Sequence, residues 1–183
     1  MYSRNSIYEI DIVPASPGVY HYLEPAKLEP VPIMETRPSI LFICTGNAAR
    51  SQMAEALLKN MCGDKYDIHS AGTRPWEVRP GAIEVMAEIG IDISKNRSKS
   101  VNEFLDREID YVLTVCDSAM AECPRFPART KMIHHLIEEP VYEVGDVMAR
   151  RRAFRKARDE IKAYLIGEFL PEIEKENTSR HSP

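Results

Sequence analysis

The chain has 183 residues, 44% of them hydrophobic and 28% charged, with a net charge of −4. That length suits one domain with a short extension, and the acidic balance argues against nucleic acid or a membrane surface as the main partner. No apolar run approaches the roughly 20 residues of a membrane helix, and Glu9 and Asp11 stand where a secretory signal would be apolar.

A cytoplasmic protein is the expectation. The four cysteines, Cys44, Cys62, Cys116 and Cys123, lack the paired short spacings of a zinc site, so no bound metal is expected. In a reducing compartment they default to thiols.

Residues 1–38 hold six of the 13 prolines and four of the eight tyrosines, which sets them apart as an N-terminal extension. Within them "SIYEIDIV" alternates apolar and acidic residues with period two, and "PASPG" supplies a turn before "VYHYL", a pattern for a hairpin. From Ser39 the pattern becomes strands alternating with helices. "SILFI" reads as a buried strand, and residues 51–61 place Met53, Ala54, Leu57, Leu58 and Met61 on one helical face. "KYDIHSAG" is a second strand, and Pro80 opens a helix that stops at Gly90. "DYVLTV" and "TKMIHH" are the third and fourth strands. The longest helix runs from about Val147 to Leu170, with Pro171 as its stop. Its basic run "ARRRAFRKAR" reads as a solvated face, and residues 172–183 read as a frayed polar tail. These elements predict a catalytic domain over 39–171, an α/β fold with a four-stranded parallel sheet and helices on both faces. In such sheets ligands sit at the carboxyl ends of the strands, where Cys44 falls.

Cys44 begins "CTGNAARS", between the first strand and the first helix. A tight loop there turns backbone N–H groups inward and adds the positive end of the following helix. Gly46 permits close backbone approach, and Asn47 tolerates unusual dihedrals. Arg50 offers a planar fork to two oxygens of a tetrahedral anion, and Ser51 a hydroxyl to the sulfur. The same field favours a thiolate at Cys44 and aims it at the central atom of a bound oxyanion. Thr45, Gly46, Asn47, Ala48, Ala49, Arg50 and Ser51 are therefore the candidate oxyanion-binding residues. The plainer alternative makes Cys44 a buried strand residue and Arg50 a surface charge. A nucleotide-binding phosphate loop is excluded, since no glycine-lysine-serine/threonine run is present.

"CTGNAARSQMAEALL", "SAGTRP" and "IGIDIS" resemble the low-molecular-weight protein tyrosine phosphatases. Within that fold they look like the thioredoxin-coupled arsenate reductases. The resemblance covers about Ser39 to Leu170. Gln52 stands where the phosphatases usually carry Pro, and Cys116 and Cys123 match a strand-end pair that the phosphatases lack. The resemblance implies arsenate as substrate, thioredoxin as electron donor, and phosphate or sulfate as other occupants of the loop. It also implies a relay. Cys44 attacks arsenate, Cys116 attacks the Cys44 sulfur and releases arsenite, and Cys123 carries the disulfide outward. It further places a general acid before Pro140, here Glu139 with Glu138 beside it, where the family usually has Asp. A phosphatase, or a redox or oxyanion-sensing interaction module, stands as the alternative.

The spacing adds its own constraint. On one helix Cys116 and Cys123 would lie about 10 Å apart, whereas a disulfide needs roughly 4.4–6.8 Å between Cα atoms. The intervening "DSAMAE" is thus expected to be helical when reduced and looped when oxidised, with Asp117 and Glu122 disfavouring thiolates at both ends. Cys62, His134 and Tyr142 are given no catalytic part.

Overall fold

A computed structural model of the protein describes residues 37–127, 129–140 and 146–180. The N-terminal hairpin expected in residues 1–36, and Tyr142, lie outside the described residues. The sheet has four parallel strands in the order β2-β1-β3-β4: β1 (Ser39–Cys44), β2 (Asp67–Gly72), β3 (Tyr111–Thr114) and β4 (Lys131–His134). Helices α1 (Arg50–Cys62) and α2 (Pro80–Ala87) follow β1 and β2. The short α3 (Asp117–Glu122) follows β3, and α4 (Val147–Tyr164) and α5 (Leu170–Arg180) close the chain.

Ile40, Leu41, Phe42 and Ile43 alternate between the two faces of β1, yet all are 0% exposed. Both faces of the sheet are therefore covered. On one, Phe42 meets Phe169 at 5.9 Å between ring centroids, and the Tyr111 hydroxyl donates to Asn177 of α5 at 2.9 Å. On the other, His69, the register neighbour of Leu41, packs on Phe104 of a single 3-10 turn at Val101–Phe104. The expected α/β architecture is the observed one.

Three expectations about the C-terminal half need correction. Pro171 does not end the long helix. A π-turn at Leu165–Phe169, closed by the Leu170 N–H donating to the Leu165 carbonyl, precedes α5 and widens the ladder where proline has no N–H to offer. Residues 170–180 are helical rather than frayed. Ile173 is fully buried, a contribution of about 2 kcal/mol, and Lys131 of β4 is ion-paired with Glu172 and Glu176.

The basic run of α4 is likewise not a free solvated face. Arg150 and Arg151 pair with Glu84, and Arg155 holds Glu88 through two 2.7 Å bonds. Arg158, 9% exposed, donates to the Val85 carbonyl at 2.8 Å. The charges form the polar seam by which α4 packs on α2, a partnership that one helix's periodicity does not reveal.

Candidate active site

The loop of residues 45–49 leaves the carboxyl end of β1, the central strand next to β3, and enters α1 at Arg50. A strap of residues 73–79 after β2 sets its orientation. Thr73, Arg74, Trp76 and Arg79 donate their backbone N–H groups to the carbonyls of Cys44, Thr45, Gly46 and Ala48, at 2.8–3.2 Å. The Ala49 carbonyl accepts from Met53 N–H at 2.8 Å, and the Asn47 carbonyl from Gln52 and Ser98. With every carbonyl from 44 to 49 turned outward onto a donor, the loop amides turn the other way, toward the sulfur. The Asn47 N–H reaches Cys44 Sγ at 3.2 Å.

That turn requires Asn47 at φ 45°, in the left-handed region that asparagine tolerates best among residues bearing a Cβ. Its side chain is held on every side. Oδ1 accepts the Lys99 backbone N–H at 2.7 Å and Gln52 Nε2 at 3.1 Å. Nδ2 donates to Ser51 Oγ at 2.9 Å and Ser70 Oγ at 2.8 Å. Ser70 in turn donates to the Glu55 carboxylate. Since Ser51 Oγ accepts from Asn47, its own hydrogen is free for Cys44 Sγ, 2.9 Å away. Two donors thus converge on the sulfur.

Glu55 anchors this network. It is 6% exposed, and burial raises its proton affinity. Hydrogen bonds from Lys59 and Ser70 and the charge of Lys99 outweigh that, so its carboxyl sits below the ordinary 4.5. Lys99 Nζ is 3.2 Å from it and Lys59 Nζ 2.6 Å. Ser51, Glu55 and Lys59 stand four residues apart on one stripe of α1, and Asn47 in the loop before it continues the same spacing. That stripe is a signal in the sequence that points to this buried polar face. "SAGTRP" marks Gly72, Thr73 and Arg74 in the sequence, but not that they hold the loop. The close approach lies at Gly72, where a Cβ would sit 2.7 Å from the Thr45 carbonyl oxygen and 2.8 Å from the Asn47 nitrogen. At Gly46 a Cβ would only touch Ala48 at 3.4 Å and the Trp76 ring at 3.6 Å. Gly46 is therefore not where the loop needs glycine.

Arg50 is 9% exposed and lies at the mouth of the loop. It donates to the Ile137 carbonyl at 3.1 Å and is ion-paired with Glu139. The structure thus brings Glu139 to the loop. Glu138, however, turns away to Lys156 at 2.5 Å, which holds its carboxyl below the ordinary value. The two neighbouring acids thus take different partners. Arg79, which sequence reasoning did not single out, is 3.8 Å from the second Glu139 oxygen.

All four cysteines are free thiols. Cys116 is buried at the end of β3 with its sulfur 3.4 Å from Thr45 Oγ1, so it borders the loop. Between it and Cys123 lies α3, helical as expected for reduced thiols. His134 ties its start to β3, accepting or donating at Thr114 Oγ1 (2.8 Å) and pairing with Asp117 (3.3 Å). Thr73 and Arg74 of the strap hold Glu122 at its end. Both acids are thus engaged elsewhere, and burial, rather than their charge, pushes the half-buried Cys123 thiol above 9.0. Cys62 is buried at the end of α1 with its thiol on the Leu58 carbonyl, and its thiol too is raised, chiefly by burial.

A parallel sheet thus carries a thiol, a loop amide on its sulfur and a guanidinium together at one strand end, a candidate cysteine-based oxyanion site. A family model for low molecular weight phosphotyrosine protein phosphatase matches residues 39–179, and the chain belongs to that family. An arsenate reductase of Halalkalibacterium halodurans is 40% identical over 122 residues, which are 67% of this chain and 88% of the relative. Among solved structures, an arsenate reductase in the phosphate binding state is 28% identical with a TM-score of 0.57, covering 70% of this chain and 94% of that one. The Corynebacterium glutamicum thioredoxin-dependent arsenate reductase has the same identity and TM-score, covering 76% of this chain and 65% of that chain. Among the described residues, no helix is long and apolar enough to cross a membrane.

Proposed function

We propose that the protein is an arsenate reductase of the cytoplasm that runs on three thiols and is re-reduced by thioredoxin. The observation that carries this reading is Cys116, buried beside the loop with its sulfur on Thr45, in a chain 40% identical over 122 residues to an arsenate reductase. A phosphatase would leave Cys116 and Cys123 without a task.

The chemistry follows from the placement. The Cys44 thiolate, held by Ser51 and Asn47, attacks arsenic while Arg50 and the loop amides take the oxyanion charge. The Glu139 carboxylate takes a proton from one As–OH of the bound hydrogen arsenate and passes it to the departing oxygen, which leaves as water. The Cys116 thiolate then attacks Cys44 Sγ. The sulfur–arsenic bond breaks with its electron pair going to arsenic, arsenite leaves, and a Cys44–Cys116 disulfide remains. Arsenic gains two electrons, one from each thiol. Cys123 next attacks Cys116 Sγ and frees the Cys44 thiolate. The new disulfide lies at the half-exposed end of α3, whose six helical residues separate the two cysteines and must rearrange to bring their Cα atoms to roughly 4.4–6.8 Å. A thioredoxin dithiol then reduces it. The name of the Corynebacterium glutamicum neighbour supports this donor, and the four free thiols fit a reducing compartment.

The test is arsenate-dependent NADPH oxidation with thioredoxin and thioredoxin reductase. Wild type turns over, and Cys116→Ser does not. Absence of turnover in wild type refutes the activity, and sustained turnover in the variant refutes the relay.

A further inference from the structure

The Glu139 carboxylate lies between two guanidiniums. One oxygen is ion-paired with Arg50, and the other is 3.8 Å from an Arg79 nitrogen. Arg50 is the guanidinium the loop presents to an oxyanion, so an arriving tetrahedral anion and Glu139 compete for it. A carboxylate and a doubly charged oxyanion on one guanidinium repel each other. Arg79 stands outside that competition. It caps the start of α2, and its backbone N–H donates to the Ala48 carbonyl at 2.8 Å. Its anchor therefore keeps a fixed distance from the loop whichever way Glu139 turns.

We propose that Arg79 is a positioning residue that receives Glu139 when an oxyanion takes Arg50. In the free protein Glu139 is an internal anion on Arg50. On binding it shifts to Arg79, which holds the carboxyl at the mouth of the loop, beside the outer oxygens of the oxyanion. The extra methylene of Glu, relative to Asp, gives the reach for two stations. The proposal deepens the reading of the loop as an oxyanion site and rests on it. It names the pair that sets oxyanion affinity.

The test is calorimetric binding of inorganic phosphate to the full, reduced chain at pH 7. Glu139→Gln removes the internal competitor and binds phosphate about threefold more tightly. Arg79→Gln binds about threefold more weakly, the size of one partly exposed ion pair, and Arg79→Lys restores the loss. In the Glu139→Gln background Arg79→Gln has no effect, because Arg79 acts only through that carboxylate. Glu138→Gln makes the same charge change away from Arg50 and leaves affinity within error of wild type. An Arg79→Gln loss retained in the Glu139→Gln background overturns the proposal, since Arg79 would then bind the oxyanion directly. So does unchanged affinity in Glu139→Gln, or tightening in Glu138→Gln equal to that in Glu139→Gln. If wild type binds no phosphate, or Arg50→Ala binds it equally well, the oxyanion reading falls together with the proposal.

Discussion

Two glycines border the Cys44 loop, and the structure separates their roles sharply enough to test. Gly72→Ala would place a Cβ 2.7 Å from the Thr45 carbonyl oxygen, 2.8 Å from the Asn47 nitrogen and 3.0 Å from the Asn47 Cβ. All three belong to the rigid frame of the loop, so the loop must shift by about half an ångström to restore van der Waals distance. Overpacking of this kind costs about 1–3 kcal/mol, offset by roughly 0.4–1 kcal/mol from the stiffer unfolded chain. A net loss of about 1–2 kcal/mol lowers Tm by roughly 2–8 °C at this length. The functional loss is larger, because the displaced amides are those facing the sulfur, and a misplacement approaching an ångström costs up to about a hundredfold. Gly46→Ala is the control. Its Cβ meets only Ala48 and the Trp76 ring, at ordinary contact distance, so both Tm and initial rate stay close to wild type. Thermal melts and arsenate-dependent rates on both variants decide the matter. Equal behaviour of Gly72→Ala and wild type, or a greater loss in Gly46→Ala, would refute the argument.

Two further expectations concern buried ionisable groups. Glu55→Gln strands the partly buried Lys99 and weakens the Ser70 contact, and destabilises the protein by about 2–3 kcal/mol at pH 7. The wild-type carboxyl is held below 4.5. Its contribution is therefore complete above about that pH and is lost as pH falls through its lower folded value, so the Tm gap between the two proteins narrows in acid. A gap independent of pH would remove Glu55 from the network. For Cys123, burial pushes the thiol above 9.0, so its alkylation by iodoacetamide, followed by mass spectrometry, rises with a midpoint above pH 9. A midpoint at or below neutrality would show an activated thiol instead.

The strands, the Cys44 loop and the Cys116–Cys123 pair were legible because each depends on neighbours in the chain. A continuous apolar run such as "SILFI" can only be a buried strand or helix segment, and its length and flanking turn decide for strand. A cysteine six residues before an arginine, at a strand-to-helix turn, already marks both as candidates for one oxyanion loop. Tertiary structure decided whatever depends on two distant segments meeting. Gly72 is critical because the end of β2 runs against the loop. The strap orients that loop through backbone groups, whose hydrogen bonds leave no mark in residue identity. The arginines of α4 look solvated until α2 supplies Glu84 and Glu88, and Pro171 looks like a helix stop until a π-turn makes room for it. Glu138 and Glu139 are adjacent in sequence, yet they part toward Lys156 and Arg50, because side-chain partners are set by packing and not by chain order. Sequence alone singled out Cys44 as the candidate thiol of an oxyanion loop, while the fold determined which groups surround its sulfur and which carboxylate pairs with Arg50.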